Sequence, residues 1–271
     1  MTKTEIFEEI VTIMADDSAT KKDIAGANPD SYRQKIRDEM TDEDFYYQVK
    51  SYLASFGVIS HVGITPKDFT RTGFQLRRLG DGLYMTDCLP STGLKKGDKI
   101  THLDGETIAQ VYSKHKNFFV SQKEERQWME WGYFVQRSEE VTLERDGQPL
   151  TTSISAPSPT ESYGPAFDGH YIHQDTYYLK MENFSDEAAL ATLYEKALPE
   201  LAKVDNLIID VRVNHGGTDS LFLPLLPYVL PAEKTMKDIP SDDDFGMEML
   251  YTDRNVETRL SVFRHSLSQE V

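Results

Sequence analysis

The chain has 271 residues, 39% apolar and 27% charged, which describes a globular protein with room for one to three domains. Its formal charge is −16, from 45 acidic and 29 basic side chains, with no basic run of five or more residues. Nucleic acid and anionic membrane surfaces need cationic patches, so neither is an expected partner. The single cysteine, Cys88, excludes an intrachain disulfide and a cysteine-rich metal site.

The N-terminus, MTKTEIFEEIVTIMADD, carries Ile6, Phe7, Ile10, Val11 and Met14 at helical spacing. Glu5, Glu8 and Glu9 interrupt it, so it lacks the apolar core of a signal peptide. No run of 18 apolar residues follows anywhere, so no transmembrane helix is expected, and the expected location is cytoplasmic. From Pro29 to Gly57 a second apolar stripe runs through Tyr32, Ile36, Met40, Phe45, Tyr46, Val49, Tyr52 and Leu53, with Thr41 or Asp42 as a cap and Gly57 as a stop. Residues 1–57 therefore read as a helical cap.

Val58 to Ile64 reads as a short apolar strand interrupted by Ser60 and His61. A histidine there is either a hydrogen-bonded core residue or a catalytic base. Residues 58–71 then link to a β-rich stretch over 72–157. Within it, a hairpin turn is expected at Gly80-Asp81-Gly82 and a further turn at Asp146-Gly147. The pattern of Leu94, Gly97, Asp98, Ile100, Leu103, Asp104, Gly105 and Ile108 resembles a PDZ domain. An insert follows with Phe118, Phe119, Trp128, Trp131, Tyr133 and Phe134, fit either for packing or for a peptide groove. Cys88, with no neighbour that would depress its pKa, reads as packing.

A Pro/Ser/Gly-rich linker begins at Ala156. His170 and His173 lie on a strand or turn, apart from one another, and together with the isolated His102, His115 and His265 they form no zinc motif. No nucleotide-phosphate or lipase motif occurs, and no metal or cofactor is expected. Leu207 to Val211 is apolar except for Asp210, which suits a strand buried on both faces. It ends in Arg212, Asn214, His215, Gly216 and Gly217, and then TDSLFLPLLPYVL, read as a helix capped by Thr218 or Asp219. Paired glycines before a helix N-terminus either relieve crowding in a turn or present amide N–H groups to an anion.

This segment, Asp210-Val211-Arg212-Val213-Asn214-His215-Gly216-Gly217, resembles the hallmark of the tail-specific (C-terminal processing) proteases and the related tricorn core protease. His215 departs from it, standing where many relatives carry glycine. The resemblance covers nearly the whole chain and is most specific at 177–230. It implies an α+β multidomain fold: the helical cap, the PDZ-like β domain, and a partial α/β, crotonase-like protease core over 158–271 that also recruits 58–64. It implies a serine peptidase cutting unstructured polypeptide near its C-terminus, without a cofactor. Gly216 and Gly217 would form the oxyanion hole, Asn214 would brace the turn, and His61 beside Ser60 would be a general base. The family's small-residue turn carrying the nucleophile is not found before Val271, and Ser261, Ser266 and Ser268 do not fit it. The expectation is therefore a chain truncated before its nucleophile. The alternative is a non-catalytic peptide-binding or scaffold protein.

Overall fold

The computed structural model describes residues 1–17, 27–58, 62–65, 71–231, 233–234, 238 and 251–268. It is a mixed α/β structure that divides into two compact units, Met1–Glu161 with Met247–Val271, and Ser162–Gly246. Among the described residues no helix is long and apolar enough to cross a membrane.

The first unit begins with α1 (Lys3–Asp17), the single-turn α2 (Asp30–Arg33) and α3 (Asp42–Ala54). Thr41 caps α3 by accepting the Asp44 N–H at 3.0 Å, and three acidic residues fill its first turn, where the helix dipole favours negative charge. The expected stripe closes into a core: Phe7, Met14, Ile36, Phe45, Val49, Tyr52 and Leu53 are buried together, and Phe7 and Tyr32 both form T-shaped pairs with Tyr52. Val58 and 62–64, the described part of the strand expected over 58–64, lie in no strand. Val62 and Ile64 find apolar partners in the helical cluster instead of a sheet.

Six strands follow: β1 (Phe74–Leu79), β2 (Gly82–Cys88), β3 (Lys99–Leu103), β4 (Glu106–Thr107), β5 (Val141–Arg145) and β6 (Gln148–Thr152). All pairings are antiparallel in the order β1-β2-β3-β5-β6, with β4 beside β3. The turns expected at Gly80-Asp81 and Asp146-Gly147 are present, joining β1 to β2 and β5 to β6. Asp146 and Gly147 (φ 52° and 75°), and likewise Asp104 and Gly105 (φ 49° and 79°) between β3 and β4, take the left-handed conformations of two-residue hairpins. Between β4 and β5 run α4 (Ile108–Lys114), opened by a Thr107–Gln110 capping box, and α5 (Trp128–Arg137).

Most of the aromatic insert packs, while Trp128 is exposed. Phe118, Phe119 and Trp131 are buried in the sheet's core, and Tyr47 of α3 stacks on Phe118 with centroids 5.1 Å apart. Tyr47 also hydrogen-bonds His115 Nδ1 at 2.9 Å, and Tyr46 lies against Tyr133. Rings in these offset and edge-on arrangements contribute beyond the area they bury. Cys88 is half-buried, and burial, then Asp98 and Asp87, push its thiol up to about 12, as suits a packing residue.

The second unit has β7 (Phe167–His173) antiparallel to β8 (Thr176–Met181), which is parallel to β9 (Asn206–Asp210). The crossover helix α6 (Glu187–Leu201), capped by Asp186, covers one face with Leu190, Leu193, Tyr194 and Ala197 against Tyr177, Leu179 and Met181. β9 is not buried on both faces as expected: Ile208 is 44% exposed, because α6 covers only one side and β9 pairs only with β8 among the described residues. The expected helix after the glycines is a 3-10 helix, Asp219–Leu225, followed by the single-turn α7 (Leu226–Val229). Pro224 and Pro227 lack the N–H that a continuous α-helix needs. The C-terminal α8 (Val256–Ser268) groups with the first unit, where Arg254 pairs with Glu9.

Buried Asp98 tests the first unit. Arg145 grips it with bonds of 2.8 and 2.7 Å, and the Lys95 N–H adds a third at 2.8 Å. Burial raises its carboxyl, but these bonds outweigh burial and hold it below the ordinary carboxylate range. The ion pair therefore stabilises the fold at neutral pH, and that contribution is lost as pH falls through the depressed pKa. Arg145→Met leaves a buried carboxylate without its counter-ion, held only by the Lys95 N–H, and should cost about 3 kcal/mol in urea unfolding at pH 7. The gap from the wild type should narrow towards pH 4, where the variant's Asp98 is relieved by protonation. A gap that widens on acidification would contradict this account.

Candidate functional site

β9 delivers its last residue, Asp210, into a polar knot. Asp210 is buried and accepts Arg212 Nε at 2.9 Å, Nη2 at 2.7 Å and the Arg212 backbone N–H at 3.1 Å, with the Tyr178 hydroxyl as a further donor. The Arg212 guanidinium, helped by Tyr178 against the cost of burial, holds the Asp210 carboxyl far below the usual carboxylate range. In return Asp210 pushes the Tyr178 phenol up.

Past this knot the chain turns. Asn214 N–H bonds Val211 C=O at 3.0 Å. The Asn214 side chain then spans two segments: its Nδ2 donates to Met181 C=O at 3.0 Å, and its Oδ1 accepts the Gly216 N–H at 2.7 Å. His215 N–H bonds Glu182 C=O at 2.8 Å, Phe184 N–H bonds Gly216 C=O at 2.7 Å, and Thr218 N–H bonds Phe184 C=O at 2.7 Å. Residues 215–218 are thus laced alongside 182–184, with Phe184 and Gly217 forming a parallel bridge.

Both glycines are required, for different reasons. Gly216 has φ 82° with open space around it, so backbone conformation alone selects glycine. Gly217 has φ 139°, and a Cβ there would lie 2.1 Å from the Phe184 carbonyl oxygen, a backbone atom that cannot step aside. With the Gly216 N–H given to Asn214, the Gly217 N–H has no acceptor among the described residues and lies in an exposed turn. The arrangement offers one backbone donor, not two, to an incoming anion or oxyanion. Since the next element is a 3-10 helix, that donor works without an α-helix dipole behind it.

The residues read from the sequence separate as follows. Asn214, Gly216 and Gly217 come together in one turn, with Asn214 bracing Gly216. His61 and Ser60 lie outside the described residues. Ser261 sits exposed in α8. His170 and His173 pair separately, each through Nδ1, with Asp168 at 2.9 Å and Asp175 at 2.8 Å. No group of three potential metal ligands exists among the described residues. Sequence reasoning missed the Tyr178–Asp210–Arg212 knot: Tyr178 lies 32 residues from Asp210, and only the parallel register of β8 and β9 joins them.

No family model and no curated protein matches the chain.

Substitution at the two glycines should separate crowding from conformation. Gly217→Ala should destabilise the protein by at least about 2–3 kcal/mol, since it drives a methyl into backbone. Gly216→Ala should cost about 1–2 kcal/mol, the ordinary penalty of left-handed backbone. Denaturant midpoints report both, and an unchanged midpoint for Gly217→Ala would refute the close approach.

Proposed function

We propose that this chain carries the peptide-binding and oxyanion-stabilising parts of a serine-type peptidase similar to the tail-specific proteases. The substrate is unstructured polypeptide, engaged near its C-terminal segment, and the reaction uses no metal or cofactor. The observation that carries the reading is the Gly217 N–H, left without an acceptor among the described residues in a turn held by Asn214 and Phe184. A donor fixed before substrate arrives needs no reorganisation when negative charge develops on the carbonyl oxygen. The antiparallel sheet with its Asp-Gly hairpins supports a PDZ-like domain, and the β8-α6-β9 crossover supports a partial crotonase-like core. His61 is the proposed general base, and no residue of this chain is assigned as the nucleophile.

One observation favours the second reading, a non-catalytic peptide-binding protein. The Gly216 N–H is already taken by Asn214, so the turn presents a single donor where an efficient oxyanion hole pairs two.

A fluorophosphonate probe with mass-spectrometric mapping, run beside cleavage of a fluorogenic peptide with a free C-terminal carboxylate and of its amide, distinguishes these readings. The peptidase reading expects a labelled serine in the full gene product and faster cleavage of the free acid. Saturable peptide binding without labelling or cleavage supports the binding protein instead. Absence of binding, labelling and cleavage overturns both.

A further inference from the structure

The first unit contains a half-open cavity of about 220 Å³ where α2 and the end of α3 meet α4 and the segment after it. Its walls include the rings of Tyr32, Tyr112 and Phe119. Phe119 is buried and meets Tyr112 edge-on at 5.0 Å, and the Arg78 guanidinium backs Tyr112 at 4.4 Å. These contacts fix Tyr112 and Phe119 before any ligand arrives, which lowers the entropic cost of binding. The rim holds Lys116, Asn117 and Gln122, none of whose side chains has a hydrogen-bond or ion-pair partner among the described residues. The nearby lysine at 114 is by contrast committed to Glu106 at 3.1 Å.

Charge selects the ligand. In a chain of net charge −16, no Asp or Glu lines this cavity among the described residues, and one uncommitted lysine does. The rings of Tyr32, Tyr112 and Phe119 give a mainly polar lining some apolar surface for a small ring or branched chain, and the rim offers one ammonium and two amides to an anionic head. The volume gives room for a single ring or a branched chain.

We propose that this cavity binds a small monocarboxylate with an aromatic or branched apolar body, its ring against Tyr112 and Phe119 and its carboxylate on Lys116. The site lies wholly within the first unit and does not depend on the peptidase reading. Such a group occurs as a free acid or as the terminal residue of a polypeptide, and the two sources share this chemistry.

The test is a ¹⁵N-resolved NMR titration of the full chain with phenylacetate, with phenylacetamide as the neutral control. Saturable shifts are expected at the amides of Lys116, Asn117 and Gln122, with the amide binding about tenfold more weakly, the size of one charge-assisted hydrogen bond. Lys116→Gln should reduce acid affinity by a similar factor and leave amide affinity unchanged. Val120→Trp, which fills the cavity from its lining, should abolish binding of both with the thermal transition preserved. A hexapeptide ending in phenylalanine distinguishes the sources. Tighter, Lys116-dependent binding assigns the site to a chain terminus, and binding of phenylacetate alone assigns it to a free acid. Equal affinity for acid and amide, or shifts that persist in Val120→Trp, would overturn the proposal.

Discussion

The second unit depends on how closely two backbones approach one another. Gly217 lies against Phe184 with no space for a side chain, and hydrogen bonds on either side of that contact, from Phe184 to Gly216 and from Thr218 to Phe184, hold it. Because the approach is backbone to backbone, no rotamer change can relieve it, and the residue choice at 217 is absolute. The turn's other features follow from this closeness. Asn214 is pulled between Met181 and Gly216, the chain leaves β9 without continuing the sheet, and the Gly217 amide is left unengaged by the described residues.

The Tyr178–Asp210–Arg212 knot anchors the other end of the same turn. A buried carboxylate is tolerable only when its oxygens are satisfied, and Asp210 receives three donors from Arg212 and one from a neighbouring strand. Arg212 remains largely exposed, so it brings its charge to Asp210 at little desolvation cost of its own. The turn is thus clamped by an ion pair at its entry and by a steric limit at its exit, which is the kind of pre-organisation a backbone anion site requires.

In the first unit the corresponding constraint is aromatic. Rings of α3 and of the insert interdigitate: Tyr47 on Phe118, Tyr46 on Tyr133, and Phe119 against Trp131. Polar groups at the edges are paired as well, through Tyr47 to His115 and Glu43 to Arg137 at 2.6 Å. This seam makes the helices and the antiparallel sheet one body, and it shapes the aromatic walls of the cavity beside Phe119.

Much of this was legible in the chain itself, wherever a rule is local. The stripe from Phe7 to Leu53 announced its helices by period, Gly80-Asp81 and Asp146-Gly147 announced turns because few other pairs tolerate left-handed backbone, and the apolar run before Asp210 announced a strand. The need for glycine at 216 was equally readable from the turn it sits in. Tertiary structure decided what depends on partners distant in sequence. The Asn214 carboxamide captures the Gly216 N–H, so two adjacent glycines yield one available donor. β9 is covered on a single face because α6 has no counterpart across the sheet among the described residues, whereas its composition suited burial on both. The segment after Gly217 was apolar enough for an α-helix, but Pro224 and Pro227 turned it into 3-10 and a single α-turn. Composition and spacing determine which elements form. Which backbone groups remain unpaired is set by contacts across tens of residues, and no local pattern encodes those.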